Sequence, residues 1–378
     1  MLSNSLRSVP ALFCVFVFAI SLAASEADDA AGAAKKAAAF LVSQQNANGT
    51  FGTGRESAMP GVVGLVVQSL IFSPDKLTDA NSPAVKKSVE YMFSTQQANG
   101  SFALPKFGLE NYNTAFAVMA IGPLHNPAYN ENLKKAKEFL MTCQFLGKPE
   151  EAGYGSFGYS PGSAGDLSNT AYALDALTVL SVPATDDVWK NAMVFVRRCQ
   201  DNPETNDLPA MKTGSGSGGF VYKPQNNPLV EKNGKHDKFV PKAYGSMSFE
   251  GFRLLAIGTP NAASDSAFQA SKKWIANNFT VLIHPGVAAT NEKFDDKAGY
   301  FYYVYGLSKA LAERGEKELT LADGKKVLWA SELARHLISI QGADGSFTNS
   351  NGAWLESSPV LASAYALSAF NECIKSLK

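Results

Sequence analysis

The sequence is poor in the residues that build metal sites and disulfide frameworks. It contains four cysteines and four histidines in 378 residues. The cysteines after residue 25 are Cys143, Cys199 and Cys373, which are far apart and form no Cys-x-x-Cys pair. Because all three fall within apolar helical patterns, we expect buried free thiols, although export of the chain would permit one disulfide.

An excess of charge of one sign is also missing. Lys plus Arg and Asp plus Glu number 34 each, and no long block of like charge occurs. Nucleic acids and anionic membrane surfaces are bound through basic patches. The composition therefore argues against both as partners.

The first 25 residues differ from the rest of the chain. Arg7 is their only charge, residues 11–20 form an apolar run, and Ser21-Leu22-Ala23 offers small residues for cleavage. This is the pattern of a secretory signal peptide, and its apolar run is too short for a stable membrane span. We therefore expect residues 1–25 to be removed and the mature protein to be secreted or periplasmic, with no membrane span.

What the sequence does contain is an internal repeat. Its motif reads Gln, three residues, Gly, one residue, Phe. Three copies are intact, two are stretched by insertions and one is degraded, and they begin at Gln45, Gln96, Gln341, Gln144, Gln200 and Asn277. We interpret the motif as structural, because Gly permits a positive φ, Phe can pack between repeats and the Gln amide can satisfy backbone groups.

Each copy of the motif lies between two helices of different character. Before it comes an amphipathic helix with one charged face, at residues 33–45, 84–97, 131–144, 188–200, 266–279 and 327–341. After it comes a helix that is apolar nearly all round, at residues 59–71, 111–121, 167–180, 243–257, 298–311 and 359–370. A helix with one charged face borders solvent, whereas a helix apolar on all sides must be surrounded by other helices.

The sequence therefore predicts an all-α fold, an (α/α)6 toroid with six inner helices, six outer helices and a cavity on the axis. An open solenoid is disfavoured because neither end repeat resembles a polar cap. Residues 201–241, rich in Gly, Pro, Asn and Lys, are predicted as a long loop inserted in the fourth pair. Residues 26–378 are thus expected to form a single domain.

The motif followed by an Ala- and Leu-rich helix resembles the repeat of squalene cyclases, related terpenoid cyclases and protein prenyltransferase β subunits. The resemblance covers residues 33–375. Within that superfamily, the chain is most similar to short exported bacterial repeat proteins of planctomycete type, which have stretches similar to residues 166–170 and 244–247 and no assigned activity. The resemblance implies the fold, but a fold does not carry its function with it.

Cyclases of this superfamily protonate an alkene or epoxide with the middle acid of an Asp-x-Asp-Asp-Thr-Ala motif. The matching stretch here is residues 166–171, where Ser168 replaces the proton donor and Asn169 replaces its neighbour. A hydroxyl and an amide cannot protonate an alkene, so the resemblance does not extend to this chemistry. Asp166 remains as a weak catalytic candidate, with an N-cap role as the simpler interpretation.

Protein prenyltransferases bind zinc through an Asp-x-Cys pair at the start of a late inner helix and a His in the last repeat. The corresponding helix begins Lys297-Ala298-Gly299, and no Asp-x-Cys occurs in the sequence. The Gly-Cys-Gly-Glu-Gln motif of thioester domains with a similar ring is also missing. We predict no metal site and no cofactor.

Aromatic residues concentrate near the predicted N-termini of the inner helices, at one mouth of the cavity. Aromatic faces can hold an isoprenoid chain, stabilise a carbocation or stack on sugars, and ordinary packing explains any single one equally well. The predicted cavity residues are Asn169, Tyr172, Tyr244, Tyr300, Tyr303 and Trp354. Because Tyr302 and Tyr303 are consecutive, they must point in different directions.

Five acidic residues could replace the missing acid, namely Asp175, Glu250, Asp295, Asp296 and Glu356. Asp175 is the second weak catalytic candidate, since its spacing from Asn169 and Tyr172 places the three near one helix face. An ion pair with Arg253 would explain Glu250, and helix capping would explain Asp295 and Asp296.

Two hypotheses of function follow. The first is a non-catalytic binding or scaffold ring that takes an apolar or isoprenoid small molecule in its cavity or docks a protein partner on its surface. The second is an enzyme that acts on an isoprenoid, or less readily on a polysaccharide, with relocated catalytic groups. The missing acid and zinc ligands favour the first, and the sequence leaves open whether the chain is an enzyme.

Overall fold

The computed structural model describes residues 11–104, 108–232 and 235–378, without the side chains of residues 11–24 and 230–237. Twelve α-helices form six pairs in this part of the chain. The outer helices are α1 (Ala11–Ser43), α3 (Pro83–Ser94), α5 (Asn130–Thr142), α7 (Asp187–Arg198), α9 (Ser266–Asn278) and α11 (Trp329–Ile340). The inner helices are α2 (Pro60–Ile71), α4 (Glu110–Ile121), α6 (Leu167–Val179), α8 (Gly245–Gly258), α10 (Tyr300–Glu313) and α12 (Pro359–Leu377).

The inner helices form a closed ring. Each packs against the next inner helix along the chain, and the last, α12, packs against the first, α2. The outer layer closes as well, because α1 contacts both α11 and α12. The chain is therefore an α/α toroid, as the repeat predicts.

Burial explains why the two kinds of helix lie in different layers. The inner helix α2 buries every residue except Gln68, whereas the outer helix α3 buries one stripe that consists of Ala84, Val85, Ser88, Val89 and Met92. Stripe positions three and four residues apart share one helix face. Apolar burial thus draws the uniformly apolar helices inside and leaves the charged faces in solvent.

The repeated motif links neighbouring outer helices. The Nε2 of each Gln donates to a backbone carbonyl near the start of the next outer helix, and these pairs are Gln45–Ala84 (2.7 Å), Gln96–Asn132 (2.9 Å), Gln144–Val188 (2.8 Å) and Gln200–Ala267 (2.7 Å). The motif glycines have φ between 81° and 91°. A Cβ on Gly49 would lie 2.4 Å from the carbonyl oxygen of Lys87, so the glycine is needed for close approach as well as for its backbone angle.

The inserted segment 201–241 contains regular structure that the sequence did not predict. It includes a 3-10 helix at Met211–Thr213 and an antiparallel pair of strands, β1 (Leu229–Lys232) and β2 (Lys235–Lys238). A second short pair, β3 (Leu319–Thr320) and β4 (Lys326–Val327), lies between α10 and α11.

The N-terminal end of the chain is described only in part. Helix α1 begins at Ala11, so residues 1–10 of the expected signal peptide lie outside the described residues, and its cleavage stays a prediction. Among the helices described, none is both long and apolar enough to cross a membrane. Cys143, Cys199 and Cys373 are buried free thiols.

Candidate ligand cavity

A cavity of about 630 Å³ opens at the N-terminal ends of the inner helices. All six inner helices or the residues just before them contribute to its wall. Much of the wall is apolar, with Met59, Val62, Leu65, Met247 and Leu361 among the lining residues. This volume lies within the range of pockets that enclose a drug-sized small molecule.

Four tyrosines from four inner helices, here called the tyrosine cluster, meet at the axis: Tyr112, Tyr172, Tyr302 and Tyr365. Tyr172 packs edge-on against Tyr112 at 5.3 Å between ring centroids, and Tyr302 lies 6.2 Å from Tyr172 and 5.9 Å from Tyr365. Tyr112, Tyr302 and Tyr365 line the cavity, while Tyr172 is fully buried. The cluster therefore gives the cavity wall a group of phenol hydroxyls.

A buried ion cluster lies nearer the C-terminal ends of the same inner helices. Arg253 is 1% exposed and contacts Glu250 and Asp175 at 2.6 Å and Glu313 at 3.3 Å. Lys309 pairs with Asp175 as well. A buried arginine with several carboxylates stays charged, because the opposite charges offset the cost of its desolvation.

Asp175 belongs to this ion cluster, so it is not the cavity acid that its spacing suggested. Burial raises the pKa of Asp175, but the charges of Arg253 and Lys309 outweigh burial and hold that pKa below its usual value. Arg253 lies 78 residues further along the chain, and helical periodicity could not reveal this pairing.

Asp166 is the N-cap of α6. One carboxylate oxygen accepts the Asn169 backbone N–H at 2.8 Å, and the other accepts the Asn169 side-chain amide at 2.9 Å. The carboxyl group is fully buried and burial raises its pKa. Asp166 does not line the cavity, so its role is to start the helix that carries Ser168 and Asn169.

Ser168, which replaces the cyclase proton donor in the motif resemblance, faces the cavity. Its hydroxyl is 2.9 Å from the hydroxyl of Tyr302. Burial raises the pKa of Tyr302 well above its usual value, with the charge of Glu250 adding to the effect. Neither group can therefore act as a strong acid at this position.

Glu356 is the one acidic side chain that contributes to the described cavity lining. It accepts hydrogen bonds from the backbone N–H groups of Phe301 and Tyr302 at 3.1 and 2.7 Å and from the Asn349 amide at 2.7 Å. Burial raises its pKa to about 7, although these three donors favour the ionised form. The carboxylate caps α10 from the loop before α12.

The loop before Glu356 has an unusual backbone. Trp354 and Leu355 are consecutive non-glycine residues with φ of 51° and 67°. Both side chains line the cavity and are about half exposed, at 48% and 46%. Left-handed conformations of large residues are costly, and they persist where the surrounding structure enforces them.

The predicted aromatic residues divide into two groups. Asn169, Tyr244 and Trp354 line the cavity, and Tyr172 lies behind the lining in the tyrosine cluster. The prediction that Tyr300 and Tyr303 line the cavity is wrong. Their hydroxyls donate to the carbonyl oxygens of Val281 at 2.6 Å and Thr280 at 2.7 Å, so both side chains point away from the axis, and Tyr302 takes the axial position.

His284 is buried between the starts of α8 and α10. Its Nδ1 is 2.7 Å from the carbonyl oxygen of Ala298, and its Nε2 accepts the Ser246 backbone N–H at 3.0 Å. Since a carbonyl can only accept, Nδ1 carries the hydrogen and the ring is neutral. Burial lowers the pKa of His284 to about 4. Within the described residues, no group of three or more His, Cys, Asp and Glu side chains could hold a metal ion.

Sequence reasoning missed the part of the cavity wall that loops supply. From the inserted segment and the residue just after it come Val221, Tyr222, Lys223, Phe239, Val240 and Lys242, and from the loop before α10 come Thr290, Asn291 and Phe294. These loops have no periodicity from which a facing direction could be predicted. The available signals were the length of the inserted segment and the place of both loops ahead of an inner helix.

The chain belongs to the prenyltransferase alpha-alpha toroid domain family, whose model matches residues 2–148 and 114–217. This confirms the resemblance to terpenoid cyclases and prenyltransferases at the level of the superfamily. A terpene cyclase-glycosyl transferase fusion protein from Humicola fuscoatra is 31% identical over 122 residues, which are 32% of this chain and 9% of that protein. The chain thus matches only a small part of that relative's length.

Solved structures with similar folds include proteins of different activity. One is a variant of the type II terpene cyclase MstE from Scytonema, in complex with its product merosterolic acid A. It is 8% identical to this chain with a TM-score of 0.57, and the match covers 93% of this chain and 99% of that one. Another is the GH76A alpha-1,6-mannanase from Salegentibacter, with 10% identity, a TM-score of 0.57, and coverage of 92% and 100%. At these identities the likeness shows the fold alone.

Proposed function

We propose that the protein is an exported ring that binds an apolar small molecule in its axial cavity and performs no acid catalysis there. The observation that carries the proposal is the 2.9 Å contact between the hydroxyls of Ser168 and Tyr302. Ser168 stands at the motif position of the cyclase acid, and both residues line a cavity of about 630 Å³. A neutral hydroxyl pair can bind a ligand but cannot protonate an alkene.

The carboxylates around the cavity support a binding role, because each is engaged by the protein. Asp166 caps α6, Asp175 pairs with Arg253 and Lys309, and Glu356 accepts three N–H donors. A proton donor in catalysis needs a neutral carboxyl directed at the reacting atom.

The apolar part of the wall supports the proposed ligand class. Met59, Val62, Leu65, Met247 and Leu361 come from helices on different sides of the axis, so an apolar molecule would exchange water for hydrocarbon and aromatic contacts over much of its surface. A linear isoprenoid is one class that fits this lining. The proposed export is supported by the signal-peptide pattern of residues 1–25.

The proposal is tested by titrating the purified protein with Nile red, an uncharged apolar fluorophore, and displacing the dye with farnesol. We expect saturable binding of one dye per chain. Val62→Phe should weaken it at least about ten-fold, because the larger side chain fills cavity space, whereas Val194→Phe on the outer helix α7 should leave it unchanged. The proposal fails if the folded protein shows no saturable binding, or if both variants behave like the wild type.

One observation favours a second candidate, an enzyme that acts on an isoprenoid with Glu356 as its acid. The carboxyl group is in the cavity wall, and burial raises its pKa to about 7. Incubation with squalene and with prenyl diphosphates, followed by mass spectrometry, decides between the candidates. Product formation that is lost in Glu356→Gln would replace the binding proposal with this one.

A further inference from the structure

The hydroxyl groups at the axis have more O–H hydrogens than the hydrogen bonds between them require. Ser168 and Tyr302 form one hydroxyl pair at 2.9 Å, and Tyr112 and Tyr365 form another at 3.0 Å. Each pair contains two O–H hydrogens, but only one of them can lie in the shared hydrogen bond. Among the described residues neither pair has another partner, so each retains one hydrogen without an acceptor.

Tyr172 adds a further donor to the same place. Its hydroxyl is buried and has no hydrogen-bond partner in the described part of the chain. Its ring contacts Tyr112 at 5.3 Å and Tyr302 at 6.2 Å, so the hydroxyl belongs to the tyrosine cluster. Buried polar groups are normally paired, so the unpaired hydroxyl of Tyr172 shows that the described residues around the cluster offer no spare acceptor.

Another tyrosine pair in the cavity wall shows the contrast. The hydroxyls of Tyr159 and Tyr222 are 2.9 Å apart, and Tyr159 is 38% exposed. Tyr222 can donate to Tyr159, whose own hydrogen can then bind solvent, so both hydrogens have acceptors. The surplus of donors is therefore a property of the axial groups and not of every tyrosine in the wall.

The surrounding charges decide what kind of acceptor fits. On the C-terminal side of the tyrosine cluster, the ion cluster brings three carboxylates, Asp175, Glu250 and Glu313, against the two cations Arg253 and Lys309. One oxygen of Glu250 is buried without a hydrogen-bond partner. An anionic ligand group at the axis would meet this excess of carboxylates, because the lysines of the lining, Lys223 and Lys242, come from the loop before α8 and not from the inner helices. An uncharged oxygen is not repelled by these carboxylates.

We infer that the ligand of the axial cavity carries an uncharged acceptor oxygen, such as a carbonyl or ether oxygen, which accepts hydrogen bonds from the two axial hydroxyl pairs that line the cavity. This inference rests on the proposed function and names its ligand class more closely. The apolar wall holds the hydrocarbon part of the molecule, and the hydroxyl groups fix the position of its oxygen. A pure hydrocarbon would leave these donors unpaired and bind less well.

The test compares farnesylacetone, a linear isoprenoid ketone, with the hydrocarbon in which a methylene group replaces its carbonyl. Affinities are measured by displacement of Nile red from wild type, Tyr302→Phe, Tyr112→Phe and Tyr159→Phe, with thermal unfolding to show that each variant is folded. We expect the wild type to prefer the ketone about ten-fold. Tyr302→Phe or Tyr112→Phe should bring the ratio to about three-fold or less without weakening hydrocarbon binding, and Tyr159→Phe should keep the full preference.

The outcomes separate this inference from the proposed function. Equal binding of ketone and hydrocarbon by the wild type overturns the inference and leaves the binding ring in place. A ketone preference that survives in both axial variants, or that disappears in Tyr159→Phe, also overturns it. If neither molecule nor the dye binds, both the inference and the proposed function are wrong.

Discussion

The side-chain amide of Gln341 donates to the carbonyl oxygen of Ala33 across 3.0 Å, joining residues 308 positions apart. This bond ties the last copy of the motif to the first outer helix, as the glutamines of four earlier copies tie their repeats to the next. Gly345 of the same motif packs against the backbone of Lys36. The ring is thus closed by the same contacts that build it, and the closure holds the inner helices around the cavity.

Replacing Gly345 with Ala should destabilise the protein strongly. Gly345 has a φ of 89°, and an added Cβ would lie 2.4 Å from the carbonyl oxygen of Lys36, so strain and a backbone clash combine. We expect a loss of about 3 kcal/mol in the free energy of unfolding, measured by urea titration.

The matched control is Gly324→Ala. Gly324 has a similar φ of 83°, but nothing lies within 4 Å of its added Cβ. Only the backbone strain remains, at a cost of about 1 kcal/mol. Equal losses in the two variants would show that the contact across the ring closure does not matter.

Removing the charge of Arg253 should be among the most damaging substitutions in the ion cluster. Arg253→Met would leave Asp175 and Glu250 buried without their main partner, at a cost of about 3–5 kcal/mol. Arg335→Met is the control, because Arg335 is 61% exposed and pairs with Glu26 at the surface, where an ion pair contributes less than about 1 kcal/mol. Chemical unfolding of the two variants measures the difference, and similar losses would refute the account of the ion cluster.

The toroid could be predicted because the repeat shows in the sequence which helices are buried and where consecutive helices are joined. The six copies of Gln-x-x-x-Gly-x-Phe mark the joints between helices, and the contrast between apolar and charged helices assigns the layers. Helix α6, expected at residues 167–180, is observed at Leu167–Val179. The main difference is α1, which begins at Ala11 and not near residue 33, because the apolar N-terminal segment continues into the first outer helix.

The candidate site could be predicted only in part, since a helical pattern gives a face but not its neighbours. Asp175 shares a face with Tyr172, yet Arg253 of another repeat draws it into the ion cluster. Tyr303 was expected at the cavity, but the carbonyl of Thr280 binds its hydroxyl on the other side of α10. The position of Glu356 depends on a loop in which two residues have positive φ. No simple sequence motif predicts this backbone geometry.

The stability of the protein should depend on the protonation of His284. Its pKa in the folded state is about 4, below the value of about 6.5 in an unfolded chain. Above pH 6.5, His284 is neutral in both the folded and the unfolded state, so it does not change how the free energy of unfolding depends on pH. As the pH falls below 6.5, the unfolded state takes up the proton first, so stability is lost, by about 2 kcal/mol at pH 5.

Comparison with His284→Asn isolates this contribution, because the rest of the chain is the same in both proteins. The variant loses hydrogen bonds at every pH, but it lacks this proton uptake. The gap in unfolding free energy between wild type and variant should therefore narrow from pH 7 to pH 5. A gap that stays constant would show that His284 is not held neutral by burial.

Trp354 should report directly on cavity occupancy. Of the four tryptophans, Trp189, Trp274 and Trp329 are at most 5% exposed, whereas Trp354 is 48% exposed at the cavity. Acrylamide should quench mainly Trp354, and saturation with farnesol should reduce this quenching. The change should be missing in Trp354→Phe. If farnesol binds and leaves the quenching of the wild type unaltered, the ligand lies elsewhere.

The central claim is that the axial cavity holds an apolar small molecule, and native mass spectrometry of the purified protein with farnesylacetone tests it most directly. The account predicts one molecule of unchanged ketone per wild-type chain, and the same spectrum for Val194→Phe. Val62→Phe, which fills the cavity, should appear mainly without ligand. A wild-type protein that stays unliganded at saturating ketone, or that binds it equally well after Val62→Phe, would contradict the account.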